Sequence, residues 1–360
     1  MKRLYLIILL CIASLYLQAQ IITEMPIDAD IVYTDFVIRG NQLWALTPAG
    51  KVKVFDVSTG ALLPVKINTG SKILQLAKDR TGNIILGDNS NTIYEIDSLS
   101  GEQTELYSFY NKLKGIIFNS HGNCFLLTNK GIYDCERQRN YFPEKLGNVQ
   151  IRRGKEWFKE PVYIADKNDN IWVGFGYGEW GGELFVFNTN TGKFVDSLQN
   201  RLSIIQYPVN AIFEGEDRVF VNLGLMHFYI TGSVVAVKDL IARVLFLSET
   251  RQAYRDTTFQ APMIPGEYIG AGAYNPADKN IYFHSQNGIF KGNPDSDLSK
   301  IESWTNVLKP SLQWGSGQPD AVGASINVTK MAFTNSGKLV FLAPLDGIGI
   351  FDGKDLIMIK

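Results

Sequence analysis

A hairpin phrase returns along this chain at intervals of tens of residues, and recurrence on that scale marks stacked structural repeats rather than one irregular core. Its clearest copy is DKNDNIWVGFGYGEWGGELFVFNTNTGKFV, from Asp166 to Val195. It reads as a turn, a strand, a loop, a second strand with an Asn-rich turn closing at Gly192, and a third strand. The turn before the second strand supplies seven anchors: Asn41, Asn83, Asn123, Asn170, Arg218, Asn280 and Lys338. Each precedes an apolar, β-branched or aromatic run: QLWALT, IILGD, CFLLT, IWVGF, VFVNL, IYFHS and LVFLA. Four hairpins add a further strand and turn, FDVSTG from Phe55, IDSLSG from Ile96, FNTNTG from Phe187 and FDGKD from Phe351. In such turns Asp, Asn and Ser bond their own backbone while Gly accepts positive φ.

Successive anchors lie 42, 40, 47, 48, 62 and 58 residues apart. These spacings match a four-stranded propeller blade, with insertions at the last two steps. The expected fold is all-β, a seven-bladed β-propeller of four-stranded antiparallel blades, forming a single domain over residues 20–360. Ile21 to Ile27 is the candidate strand for closing the ring against the final blade. Within blade five, Val237, Leu240, Ile241, Val244 and Leu245 recur at helical spacing, so a helix competes with strands over residues 235–260. Strands are expected for Phe228 to Val237, around a turn at Thr231 and Gly232.

These repeats resemble those of bacterial two-component-regulator propellers, whose blades carry D-x-x-G-N-I-W-V-G-T followed by G-G-L-x-x-x-D. Asp166 to Phe187 carries the likeness, with Asn168 and Asp169 near the turn, IWVG at Ile171 to Gly174, and GGELFVF from Gly181. The other blades match in the turn and in strand character, a weaker pattern also similar to quinoprotein-like and WD-repeat propellers. In the regulator family the propeller is a periplasmic sensor joined to a membrane helix and a kinase. This sequence contains neither, so the resemblance implies a binding or scaffold propeller.

The N-terminal residues read as a signal peptide over 1–19: Lys2 and Arg3, an apolar stretch from Leu4 to Leu17, and small Ala19. Leu10 before Cys11 is too large for lipoprotein processing. Cleavage removes two of the 35 basic residues and none of the 36 acidic ones, leaving a net charge of −3. The chain is expected to be periplasmic or secreted, without membrane insertion after cleavage, and nothing in its charge favours nucleic acid.

Cys124 and Cys135 remain, both in one hairpin. A two-residue loop at Asn129 and Lys130 sets them opposite each other, whereas a three-residue loop closing on Gly131 separates them. Gly131 suits the second turn, and two buried thiols are the expectation. No His or Cys spacing matches a zinc site.

Loops leaving the second strands and loops linking blades share one propeller face. Long examples are Gly174 to Glu183, Arg152 to Pro161, and Trp304 to Ser325. The candidate ligand-binding residues are Trp157, Tyr177, Glu179, Trp180, Trp314, Arg152, Arg153 and Tyr207. Flat apolar rings can stack on a ligand while charged groups orient it. Gly174, Gly176 and Gly178 do not make a phosphate cradle, because the segment leads into a strand. His121 is expected to face solvent, and His227 and His284 could converge on the channel. No metal ligand set, catalytic residue or cofactor is assigned.

The expected function is therefore a binding or scaffold module for a protein or glycan. The alternative is a metal-dependent hydrolase, such as a lactonase or sugar-modifying enzyme, with channel-facing carboxylates from several blades.

Overall fold

Seven antiparallel sheets follow one another in a computed structural model, each with its strands in chain order. The structure describes residues 32–360 apart from 66, 68–69, 98–99, 145–155, 196–197, 201–203, 205, 228–229, 250, 253–262 and 314–327. Six sheets have four strands, and the first has three among the described residues. The innermost strands are Asp35–Arg39, Ile73–Lys78, Leu113–Phe118, Val162–Ala165, Val209–Glu214, Gly272–Asn275 and Lys330–Phe333. From the first to the seventh, each contacts its successor. The chain is a seven-bladed β-propeller, as the repeat spacing implies.

Seven apolar clusters hold the ring, one at each blade junction. The second and third blades share Ile85, Ile93, Leu113, Ile116 and Leu126. Between the third and fourth, Phe125, Leu127 and Ile132 meet Ile171, Val173 and Phe187. Closure depends on the last junction, where Tyr33, Phe36, Leu43 and Phe55 of the first blade pack on Val340, Leu342, Ile348 and Ile350 of the seventh. Each fully buried aliphatic or aromatic side chain contributes on the order of 1.5–3 kcal/mol, so a junction outweighs any single polar contact across it. Lys330 adds such a contact, its Nζ reaching Asp35 Oδ1 at 2.6 Å and the Phe36 carbonyl at 2.8 Å.

The turns between first and second strands explain the anchor pattern. In four of the seven turns the residue four positions before the anchor accepts the anchor's backbone N–H in its side chain: Asp79 for Asn83 at 2.7 Å, Asn119 for Asn123 at 2.9 Å, Asp166 for Asn170 at 2.9 Å and Thr334 for Lys338 at 2.9 Å. Asp166 also accepts from the Trp172 indole at 2.7 Å, tying the turn to the strand it launches. The Asn anchors were the visible mark of a turn held by the preceding oxygen-bearing residue.

Three expectations change. Blade five carries no helix over its described residues: Ile230–Lys238 pairs with Ile241–Glu249 as a hairpin. Its turn is Asp239–Leu240, both at positive φ (50° and 60°), instead of Thr231–Gly232, which lies inside the first of these strands. Apolar residues on both faces of the outer strand produced the helical spacing. In blade three, Gly131 pairs with Thr128, so the loop is the two-residue Asn129–Lys130. Cys135 then lies opposite Cys124, donating its N–H to the Cys124 carbonyl at 3.1 Å, and both thiols are free and buried. The hydrogen-bonding Cys135 thiol and burial hold the Cys124 thiol well above its usual range.

Finally, the strand Gly347–Phe351 is completed by Leu356–Ile359. The proposed closing strand Ile21–Ile27 and the signal peptide over 1–19 lie outside the described residues. The wide spacing after blade five contains a short extra hairpin of Arg251–Gln252 and Met263–Ile264.

Candidate functional site

The innermost strands enclose a central channel of about 860 Å³, lined by residues of all seven blades. One mouth opens into a depression of about 460 Å³ among Glu160, Gly176, Pro208, Leu225, Tyr268 and Thr329. This is the face where second-to-third-strand loops meet the links between blades.

A recurring clamp orders this face. In four places a residue of an inter-blade link donates its N–H to a side chain from the following blade's next turn on the same face. These bonds are Lys72 to Asn89 Oδ1 at 3.1 Å, Lys112 to Asn129 Oδ1 at 3.1 Å, Tyr268 to Gln286 Oε1 at 2.8 Å and Gln313 to Asp346 Oδ2 at 2.9 Å. Loops joined in this way present their side chains on a fixed frame, as a recognition surface requires.

The predicted ligand-binding residues separate into distinct environments. Trp180 is 80% exposed at the end of the 3₁₀ turn Gly178–Trp180. Beside it, Glu179 Oε1 meets His227 Nδ1 at 2.5 Å, joining the loop tips of blades four and five. The loop is shorter than its composition implied: the strands run to Gly176 and resume at Gly182, leaving only Tyr177–Gly181 between them. Gly178 (φ 64°) and Gly181 (φ 81°) supply the left-handed turns that a loop this tight needs.

Trp157 is not on the surface. It is fully buried against Phe142, Phe175 and Phe185, anchoring the inter-blade connection. Tyr177 is also buried, stacked on Phe158 and Phe175, with its hydroxyl donating to Glu183 Oε2 at 2.9 Å. Their large apolar faces gain more from packing the loop than from waiting in water. Tyr207 is half-buried and donates to Glu249 Oε1 at 2.5 Å. Burial and that carboxylate push its phenol up to about 12. Arg152, Arg153 and Trp314 lie outside the described residues.

Of the histidines, His121 is exposed beside Asp169, at 3.2 Å. His227 belongs to the loop tip described above. His284 is buried in the second strand of blade six, and burial lowers its pKa to about 4.

The channel contains charges whose partners come from adjacent blades, which sequence spacing did not single out. Lys114, buried within the apolar run LKGIIF, donates to the Lys159 carbonyl at 3.0 Å and Glu160 Oε1 at 2.8 Å. Lys78 donates to the Ile38 carbonyl at 2.7 Å. Of the channel-lining carboxylates, Asp35 is held by Lys330, Glu160 by Lys114, and Glu214 by the Lys167 N–H at 2.8 Å, while Asp79 holds its own turn. The signal available in the sequence was a lysine interrupting an innermost strand. Among the described residues, no group of three or more His, Cys, Asp or Glu side chains could hold a metal ion.

The chain matches no protein-family model and no curated protein sequence. Its fold is similar to solved β-propellers. One is a virginiamycin B lyase from Staphylococcus aureus, at 12% identity and TM-score 0.56, covering 90% of this chain and 95% of that one. Another is the extracellular domain of a putative hybrid two-component system from B. thetaiotaomicron, at 12% identity and TM-score 0.54, covering 89% of this chain and 38% of that one. A third is the WD40 repeats of RRP9, at 13% identity and TM-score 0.52, covering 87% and 88%. At these identities the likeness establishes the propeller fold alone. Among the described residues, no helix is long and apolar enough to cross a membrane.

Proposed function

We propose that this propeller is a binding or scaffold module that holds a protein partner on the face around the 460 Å³ mouth. The observation that carries the reading is Trp180, a large aromatic held out at 80% exposure by a tight turn and flanked by the inter-blade Glu179–His227 contact. Exposing an indole has a hydrophobic cost that burial under a partner recovers, and aromatic anchors of this kind dominate interface energetics. The hydrolase alternative is not favoured, because each channel carboxylate described above already serves a lysine, a backbone N–H or a turn. Export is part of the proposal and rests on the basic, apolar and small residues of segment 1–19.

The test is affinity capture with cross-linking from the native source, comparing the wild-type chain with Trp180→Ala. Loss of one specific protein in the variant, with an unchanged melting temperature, is the expected result. Equal capture by both chains removes Trp180 from the interface. Trp180-dependent binding on a glycan array, with no protein captured, would transfer this face to a sugar ligand.

A further inference from the structure

Across blades one to four the loops of the same face form a hydrogen-bonded rim. Ile73 N–H bonds the Gly50 carbonyl at 3.2 Å, Asn89 N–H the Lys72 carbonyl at 2.9 Å, Phe109 N–H the Asn91 carbonyl at 2.9 Å, Asn129 N–H the Lys112 carbonyl at 3.0 Å, and Trp157 N–H the Asn129 carbonyl at 2.8 Å. Lys72 and Lys112 occupy equivalent positions on it. Each is exposed, and each has its backbone N–H and C=O engaged by an Asn 17 residues later. Neither forms an ion pair among the described residues. Exposed Lys159 continues the row, while Tyr110, 91% exposed, stands two residues before Lys112.

Three carboxylates on this arc are already engaged. Glu156 pairs with Lys130, Glu160 with Lys114, and Asp88 is buried and holds its own turn. The result is a positive row repeated at the spacing of the blades, on a chain whose overall charge is slightly negative. On the opposite face, Lys279 and Lys238 pair with Glu216 and Asp217.

We infer that the rim of blades one to three docks an acidic segment of a protein partner, with Lys72 and Lys112 meeting carboxylates and Tyr110 covering apolar stems between them. This deepens the protein-binding proposal and rests on it. Two lysines whose backbones are clamped in the same way project from fixed attachment points on neighbouring blades, which suits a run of Asp or Glu side chains that their flexible stems can reach. Such contacts set orientation and association rate, and they weaken as salt screens them.

The experiment is fluorescence anisotropy of the full chain with a labelled oligoglutamate peptide, using oligolysine and oligothymidylate as comparison probes. Binding to oligoglutamate at about 30 mM salt that falls steeply by about 300 mM is expected. Lys72→Glu/Lys112→Glu should weaken it at least about tenfold, Lys72→Gln/Lys112→Gln less, and Lys354→Glu on the opposite face should leave it unchanged. No oligoglutamate binding, equal loss in Lys354→Glu, or tighter binding of oligothymidylate overturns the inference, the last in favour of nucleic acid. Trp180-dependent capture of a protein without oligoglutamate binding leaves the general function standing and removes only the acidic-segment assignment.

Discussion

Asn129 grips both backbone polar groups of Lys112: its side-chain oxygen accepts the Lys112 N–H at 3.1 Å, and its own N–H donates to the Lys112 carbonyl at 3.0 Å. This pair welds the link between blades two and three to the turn of blade three. Asn129→Ala keeps the backbone bond and deletes the side-chain one, with an expected cost of about 1 kcal/mol. The specific readout is amide hydrogen exchange, where the Lys112 N–H should lose protection while the strand Cys124–Thr128 keeps its own.

Asp166 is a buried turn residue with four donors on its carboxylate. Its carboxylate takes bonds from the backbone of Asn168 and Asn170, the Asn170 side chain and the Trp172 indole, all at 2.7 to 3.0 Å, while 3% exposed. Asp166→Ala leaves these donors unsatisfied and should cost roughly 2–5 kcal/mol, measured by urea denaturation. Asp166→Asn, which retains one acceptor oxygen, should cost less.

Trp157 and Trp180 should respond in opposite ways. Trp157→Ala empties a fully buried aromatic site and is expected to cost about 3–5 kcal/mol in denaturant unfolding. Trp157→Phe should be milder, since the buried indole N–H has no hydrogen-bond partner among the described residues. Trp180→Ala should stay within about 0.5 kcal/mol of wild type.

His284 makes stability depend on pH through desolvation. Burial lowers its pKa from 6.5 to about 4, so between these values the unfolded chain binds a proton that the folded chain does not. The contribution is complete above pH 6.5 and is lost as pH falls toward 4, amounting to about 3 kcal/mol at most. His284→Gln should flatten this part of the stability profile relative to wild type when unfolding is followed between pH 7.5 and 4.5. Carboxylates titrating in the same range act on both chains, so the difference between the profiles isolates the imidazole.

The blade count was readable because most blades repeat parts of a local device. A turn built from an oxygen-bearing side chain, Asn or Gly precedes an apolar strand, and these short-range rules act within a few residues. The Asp239–Leu240 turn escaped because neither residue is the Gly that positive φ normally selects, and strand Ile241–Glu249 carries apolar residues on both faces. Whether Trp157 contacts a ligand or packs its loop is not legible locally, because a Trp among charged loop residues has the same local sequence whether it points outward or inward. Only its contact with Phe175 and Phe185 of the next blade distinguishes the two.

The clamped lysines were equally hidden. Lys72 and Lys112 are unremarkable one at a time, and their equivalence emerges only when Asn89 and Asn129 fold back on them.

The sequence by itself determined the seven modules, the turns that launch their second strands, and their order, because hydrogen bonding within a turn and the alternation of a strand are properties of neighbouring residues. The tertiary structure decided which aromatic rings are buried, which lysines cross to the next blade, and which loops share the mouth. Those outcomes depend on burial and charge pairing between residues tens to hundreds of positions apart, as with Lys330 and Asp35, whose contact exists only once the ring has closed.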